Sequence, residues 1–76
     1  MTKPRTQDEI GVDILMSASE FAVSKTRIRL DQGLHMSALR KYLKHLGTQG
    51  FIGEVEEGMW QTTARGRAFV AAQGVG

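Results

Sequence analysis

At 76 residues and a formal net charge of +2, the chain has room for one domain with one small core and too little mass to enclose a deep substrate cleft. It contains no cysteine, which excludes a disulfide framework and a thiolate zinc site and makes the reducing cytoplasm the expected compartment. No apolar run approaches the ~20 residues that span a bilayer, and Met1-Thr2-Lys3-Pro4-Arg5 lacks the apolar segment of a signal peptide.

Residues 1–5 read as a flexible basic tail, with Pro4 opposing any helix before it. Thr6-Gln7-Asp8-Glu9 has capping-box spacing, with Glu9 placed to reach back to the Thr6 backbone and two acids at the positive end of the helix. Helix one is predicted from Gln7 to about Ser19, burying Ile10, Ile14, Leu15 and Ala18. Val12 and Met16 make it apolar on more than one side. That excess suits either a dimer surface or burial under Phe21 or the C-terminal segment. Gly11 either weakens the first turn or admits a close neighbour.

Phe21-Ala22-Val23 is an apolar connection, after which Ser24 caps a short helix two from Lys25 to about Asp31, with Ile28 facing the core. Gly33 tolerates the left-handed conformation that ends such a helix. His35 or Ser37 then starts helix three, spanning about 36–49, with Gly50 beyond it as the stop signal. Gly47 fits poorly, costing ~1 kcal/mol relative to Ala in a helix interior, and only close packing or a fraying last turn accounts for it. Phe51-Ile52-Gly53-Glu54-Val55 and Met59-Trp60-Gln61-Thr62 are β-prone runs joined by Glu56-Glu57-Gly58, a hairpin in which Gly58 supplies the positive φ. Thr63 caps helix four from Ala64 to about Gln73, with Ala68, Phe69 and Ala72 returning to the core. Residues 6–73 thus form one domain, and 74–76 are expected to fray. The fold class is mainly α with a small β-hairpin.

In helix three Leu39, Tyr42, Leu43 and Leu46 fall at i, i+3, i+4 and i+7 and share one face, so Arg40, Lys41 and Lys44 point away from it. A helix anchored by one apolar stripe and presenting three cations suits a negatively charged groove, provided that another helix holds it at an angle. Charge is concentrated there. Residues 24–49 hold six Lys and Arg against Asp31 alone, a local +5, whereas Asp8, Glu9, Asp13 and Glu20 crowd the first helical region. The molecule is expected to have a basic face and an acidic face.

Three segments carry a family likeness: Lys25-Thr26-Arg27-Ile28; Leu39-Arg40-Lys41-Tyr42-Leu43 with Leu46 and Gly50-Phe51-Ile52; and Thr62-Thr63-Ala64-Arg65-Gly66-Arg67-Ala68-Phe69. In this order and spacing they resemble the winged helix-turn-helix DNA-binding family, in particular short archaeal-type transcriptional regulators, over about Gln7 to Gln73. The resemblance implies double-stranded DNA as the partner and helix three as the recognition helix in the major groove. His35, Ser37, Ala38, Arg40, Lys41 and Lys44 match base-facing and backbone-facing positions. Arg suits a bidentate contact with guanine, and Lys suits phosphate. Lys25, Thr26 and Arg27 would meet a phosphate at the start of helix two. The wing departs from the family pattern, because its tip carries Glu54, Glu56 and Glu57 where relatives that use it on DNA place Lys or Arg. It is therefore expected to stay off the minor groove or to face a protein partner.

Other chemistry finds little support. Ten helical positions put His35 and His45 ~15 Å apart, beyond the reach of one metal ion. No nucleophile elbow, phosphate-binding glycine loop or paired-carboxylate motif is present, so neither an enzyme nor a cofactor is expected. Tyr42 and Trp60 sit in registers that point inward rather than toward exposed bases. The reading is a cytoplasmic, nucleoid-associated regulator, a homodimer through Val12, Met16, Phe69 and Val70. Its rival is a protein-interaction module that uses the acidic wing and apolar helix one.

Overall fold

The structure, a computed structural model, describes residues 5–73. Four helices and three short strands follow in the order α1 (Gln7–Ser17), β1 (Val23–Ser24), α2 (Lys25–Gln32), α3 (Met36–Thr48), β2 (Ile52–Glu56), β3 (Met59–Thr62) and α4 (Ala64–Gln73). The strands form one antiparallel sheet in the order β1-β3-β2. Ile14, Leu15, Ala18, Ile28, Leu39, Leu43, Leu46 and Ile52 make the core, with Tyr42 and Trp60 packed at its edge.

The capping box at Thr6 and Glu9 forms in full. Helix α1 stops two residues earlier than its periodicity suggests, for a tertiary reason. The Thr62 hydroxyl donates to the Leu15 carbonyl at 2.6 Å and the Thr62 N–H donates to the Ala18 carbonyl at 3.0 Å. The end of β3 thus satisfies carbonyls at the α1 C-terminus that another helical turn would have used. Thr62 is the buried polar residue of the core, and its donors explain why that position is not apolar.

Strand β1 lies where the sequence suggests only an apolar connection, and consists of two residues pairing Val23 with Trp60 and Ser24 with Met59. Two residues are too few to show a period. The Ser24 hydroxyl caps α2 by accepting from the Arg27 N–H at 3.1 Å. Gly33 closes that helix at φ 64°, with the Leu34 N–H bonded to the Arg29 carbonyl at 3.1 Å. The left-handed turn aims α3 across α2.

Arg5 does not behave as part of a tail. Its guanidinium donates to Asp13 Oδ2 at 2.7 Å, to Gln32 Oε1 at 2.6 Å and to the Gln32 carbonyl at 2.9 Å. It joins the middle of α1 to the last residue of α2. The rest of the basic tail and the C-terminal residues expected to fray lie outside the described residues.

Helix α4 meets the body through Gly66, Phe69 and Val70, whereas Ala68 and Ala72 are exposed, against the sequence reading. The reason is Gly66, which is buried where a side chain would not fit. Its close approach rotates the helix so that Phe69 stacks on Phe51, with ring centroids 4.5 Å apart. Gly47 is a different case. A Cβ there would meet the Ile52 carbonyl oxygen at 3.7 Å, an ordinary contact, so close packing does not require glycine. Gly47→Ala is therefore expected to stabilise the fold by ~0.4–1 kcal/mol through loss of unfolded-chain entropy. A rise in the urea midpoint checks this.

Candidate nucleic-acid interface

The candidate interface lies on α3, and its orientation follows from the opposite face. Leu39, Leu43 and Leu46 are buried at 0%, 3% and 5% exposure. The helical repeat then turns Arg40 and Lys44 to solvent, and both are exposed. Ser37 and Lys41 are exposed as well, and Ala38 is half-buried. His35 stands at the N-cap with its side chain exposed and making no capping hydrogen bond.

The expected set is therefore divided by the fold. Arg40 and Lys44 lie on the open side of α3. Ser37, Ala38 and Lys41 line a cleft that α3 forms with α1 and α4. Lys41 stands where the two surfaces meet.

The start of α2 supplies the second part. Thr26 and Arg27 are exposed and Lys25 is half-buried. The Arg27 side chain is not idle: its Nε donates to Asp31 Oδ1 at 3.2 Å, one turn along the same helix. An exposed i,i+4 pair of this kind contributes little to stability, so a phosphate can take the place of the Asp31 carboxylate at small cost. The backbone is less available than the sequence suggests. The Lys25 N–H donates to the Gly58 carbonyl at 3.1 Å and the Arg27 N–H to Ser24 Oγ. Both donors are used inside the chain, which leaves the Thr26 N–H as the backbone donor of this turn without a partner among the described residues, and anion binding here rests mainly on side chains.

That Lys25 bond also shows something missed from sequence. It ties the hairpin turn to the start of α2, which places the acidic turn on the same side of the molecule as the basic helix start. The turn itself is closed by Glu54, whose carboxylate accepts from the Gly58 N–H at 2.7 Å. Glu56 and Glu57 remain exposed beside it. A pair of β-prone runs flanking Glu-Glu-Gly marks the hairpin, but the β1 pairing that brings it to α2 has no local signature.

Two helices crossing at a glycine turn, backed by a third helix and followed by a sheet hairpin, define a known architecture, and a family model of that architecture, described as winged helix-turn-helix, matches residues 4–73. The chain belongs to the winged helix-turn-helix family. Among solved structures, this winged-helix domain is similar to the crystal structure of T. acidophilum IdeR, with a TM-score of 0.68 at 15% identity. The match covers 86% of this chain and 31% of that one, so the domain spans about a third of the protein whose fold it shares. At that identity the likeness concerns the fold. No curated protein matches the sequence. Within the described residues, no helix of the winged-helix domain is long and apolar enough to cross a membrane.

Proposed function

We propose that this winged-helix domain binds double-stranded DNA and serves as a cytoplasmic, nucleoid-associated transcriptional regulator, with α3 in the major groove. The observation that carries the reading is the division of α3 into a buried leucine face and an open face bearing Arg40 and Lys44. Family membership supports it. Arg40 reads a base edge, Lys44 and Lys41 neutralise phosphates, and Ser37, Ala38 and His35 approach the groove from the start of the helix. Lys25, Thr26 and Arg27 hold the flanking backbone. The wing, with Glu56 and Glu57 at its turn, stays away from the phosphates, since like charges repel most strongly in the narrow minor groove.

A single recognition helix reads few base pairs, so a useful specificity ratio calls for more than one copy. Self-association is part of the proposal. Of the apolar residues expected to carry it, Val12 and Phe69 line the cleft, while Met16 stands 58% exposed elsewhere on α1. The second reading, a protein-binding module, draws its support from the exposed acidic wing.

Binding of the intact chain to selected and random duplexes tests the assignment. Arg40→Ala is expected to leave the fold intact and weaken selected-site binding by ~1–3 kcal/mol. Lys44→Ala should weaken all sequences alike and lower the salt slope of log K by ~0.9, one phosphate contact. Equal losses for both variants on both duplexes would show that neither residue reads sequence. No detectable binding by the unmutated chain at low salt would leave the protein-binding reading in its place.

A further inference from the structure

A cleft of about 750 Å³ opens between α1, α3, α4 and the connection from α3 to β2. Its floor is apolar and largely aromatic, from Val12, Tyr42, Phe51 and Phe69, with the last two rings stacked. Lys41 and His45, one helical turn apart, form its α3 wall. Neither makes an ion pair among the described residues.

At the other end of the hairpin the wing presents the complementary set. Val55 is 54% exposed. Glu54 pairs with Trp60 and Glu56 with Met59, so Val55 is the extra residue of a bulge and projects from the edge strand without a partner residue. Exposed carboxylates flank it on both sides. Glu54 is engaged with the Gly58 N–H, which leaves Glu56 and Glu57 as the carboxylates facing outward.

We propose that in the absence of DNA the wing of a second copy of this chain docks in the cleft, with Val55 on the aromatic floor and Glu56 and Glu57 against Lys41 and His45, so that wing and phosphate compete for Lys41. Charge complementarity selects this occupant: the acids that would repel a phosphate groove are attracted to the Lys41 ammonium, beside which the His45 ring offers a polar contact. Asp8, on the α1 side of the cleft, repels the carboxylates and directs them toward α3. A chain cannot seat its own wing. Phe51 belongs to the floor, and four steps of strand at ~3.3 Å each carry Val55 ~13 Å away from it. Donor and acceptor surfaces differ, so copies associate either by exchanging wings reciprocally about a two-fold axis or by adding head to tail. The contact would also cover Val12, the part of the apolar excess of α1 that lies in the cleft.

Sedimentation of the intact chain without DNA tests this separately from any DNA affinity. The unmutated chain is expected to grow in mean size with concentration and to shrink as salt rises. Glu56→Lys with Glu57→Lys on the wing, and Lys41→Glu in the cleft, should each reduce association ~10-fold or more, because each variant sets like charges together. Mixing the two variants in equal amounts should restore association, since every wing then meets a cleft of opposite sign. Val55→Asp should also abolish it, with circular dichroism showing all variants folded. A monomeric unmutated chain at high concentration, or a mixture no larger than its separate components, would overturn the proposal. So would association that neither charge reversal changes.

Discussion

Leu43→Ala is expected to cost the domain ~2–5 kcal/mol, the range for a buried leucine truncated in a core that relaxes only in part. Leu43 is 3% exposed, in the middle of α3 and at the centre of the buried cluster that also holds Ile14, Ile28 and Leu39. A domain of this size has ~4–11 kcal/mol in total, so the loss is a large fraction of what keeps α3 seated. Function should follow stability here. Arg40 and Lys44 face outward only because the leucine stripe faces inward, so a cavity under Leu43 loosens the helix that presents both cations. Urea denaturation with the m value recorded checks this. An unchanged midpoint would mean that the inward face of α3 has been misassigned.

Such local logic explains why much of the fold was legible in the sequence. The Thr6 capping box, the Ser24 cap, the left-handed Gly33 and the leucine stripe of α3 each act within one turn or one heptad, and each was found at its expected place. What was not legible depends on partners distant in sequence. The early end of α1 needs Thr62, which lies far along the chain. The two-residue β1 exists only because Met59 and Trp60 lie beside it. Arg5 reads as part of a basic tail in the sequence, because nothing near it names Asp13 and Gln32 as acceptors. The candidate site divides in the same way. That Arg40, Lys41 and Lys44 are exposed follows from the period of α3, but the separation of Lys41 into a cleft depends on where α1 and α4 pack.

Gly66→Ala is the substitution in α4 with the largest expected effect, and the reason is steric rather than conformational. A Cβ at this position would be driven into the Phe51 carbonyl group and would lie 2.6 Å from Thr62 Cγ2. The first obstacle is backbone, so no side-chain rotation relieves it. Nor is that carbonyl free to retreat, because it accepts a hydrogen bond from the Thr63 N–H at 2.9 Å, and the Thr63 hydroxyl in turn holds the Gly50 carbonyl at 2.6 Å. The helix itself must lift. Lifting α4 separates Phe69 from Phe51 and draws Arg65 off the Phe51 ring, over which its guanidinium carbon sits at 5.7 Å. Overpacking of this kind costs ~1–3 kcal/mol, and more where backbone must move; for a domain of this length each kcal/mol lowers the melting temperature by ~4–8 °C. A fall of ~10 °C or more is therefore expected by circular dichroism. Phe51 and Phe69 resonances should shift together by NMR, while those of Ile28 at the α2–α3 end stay in place. Melting within a degree or two of the unmutated protein would show that α4 tolerates a side chain at its closest approach, and that the rotation exposing Ala68 and Ala72 has another cause.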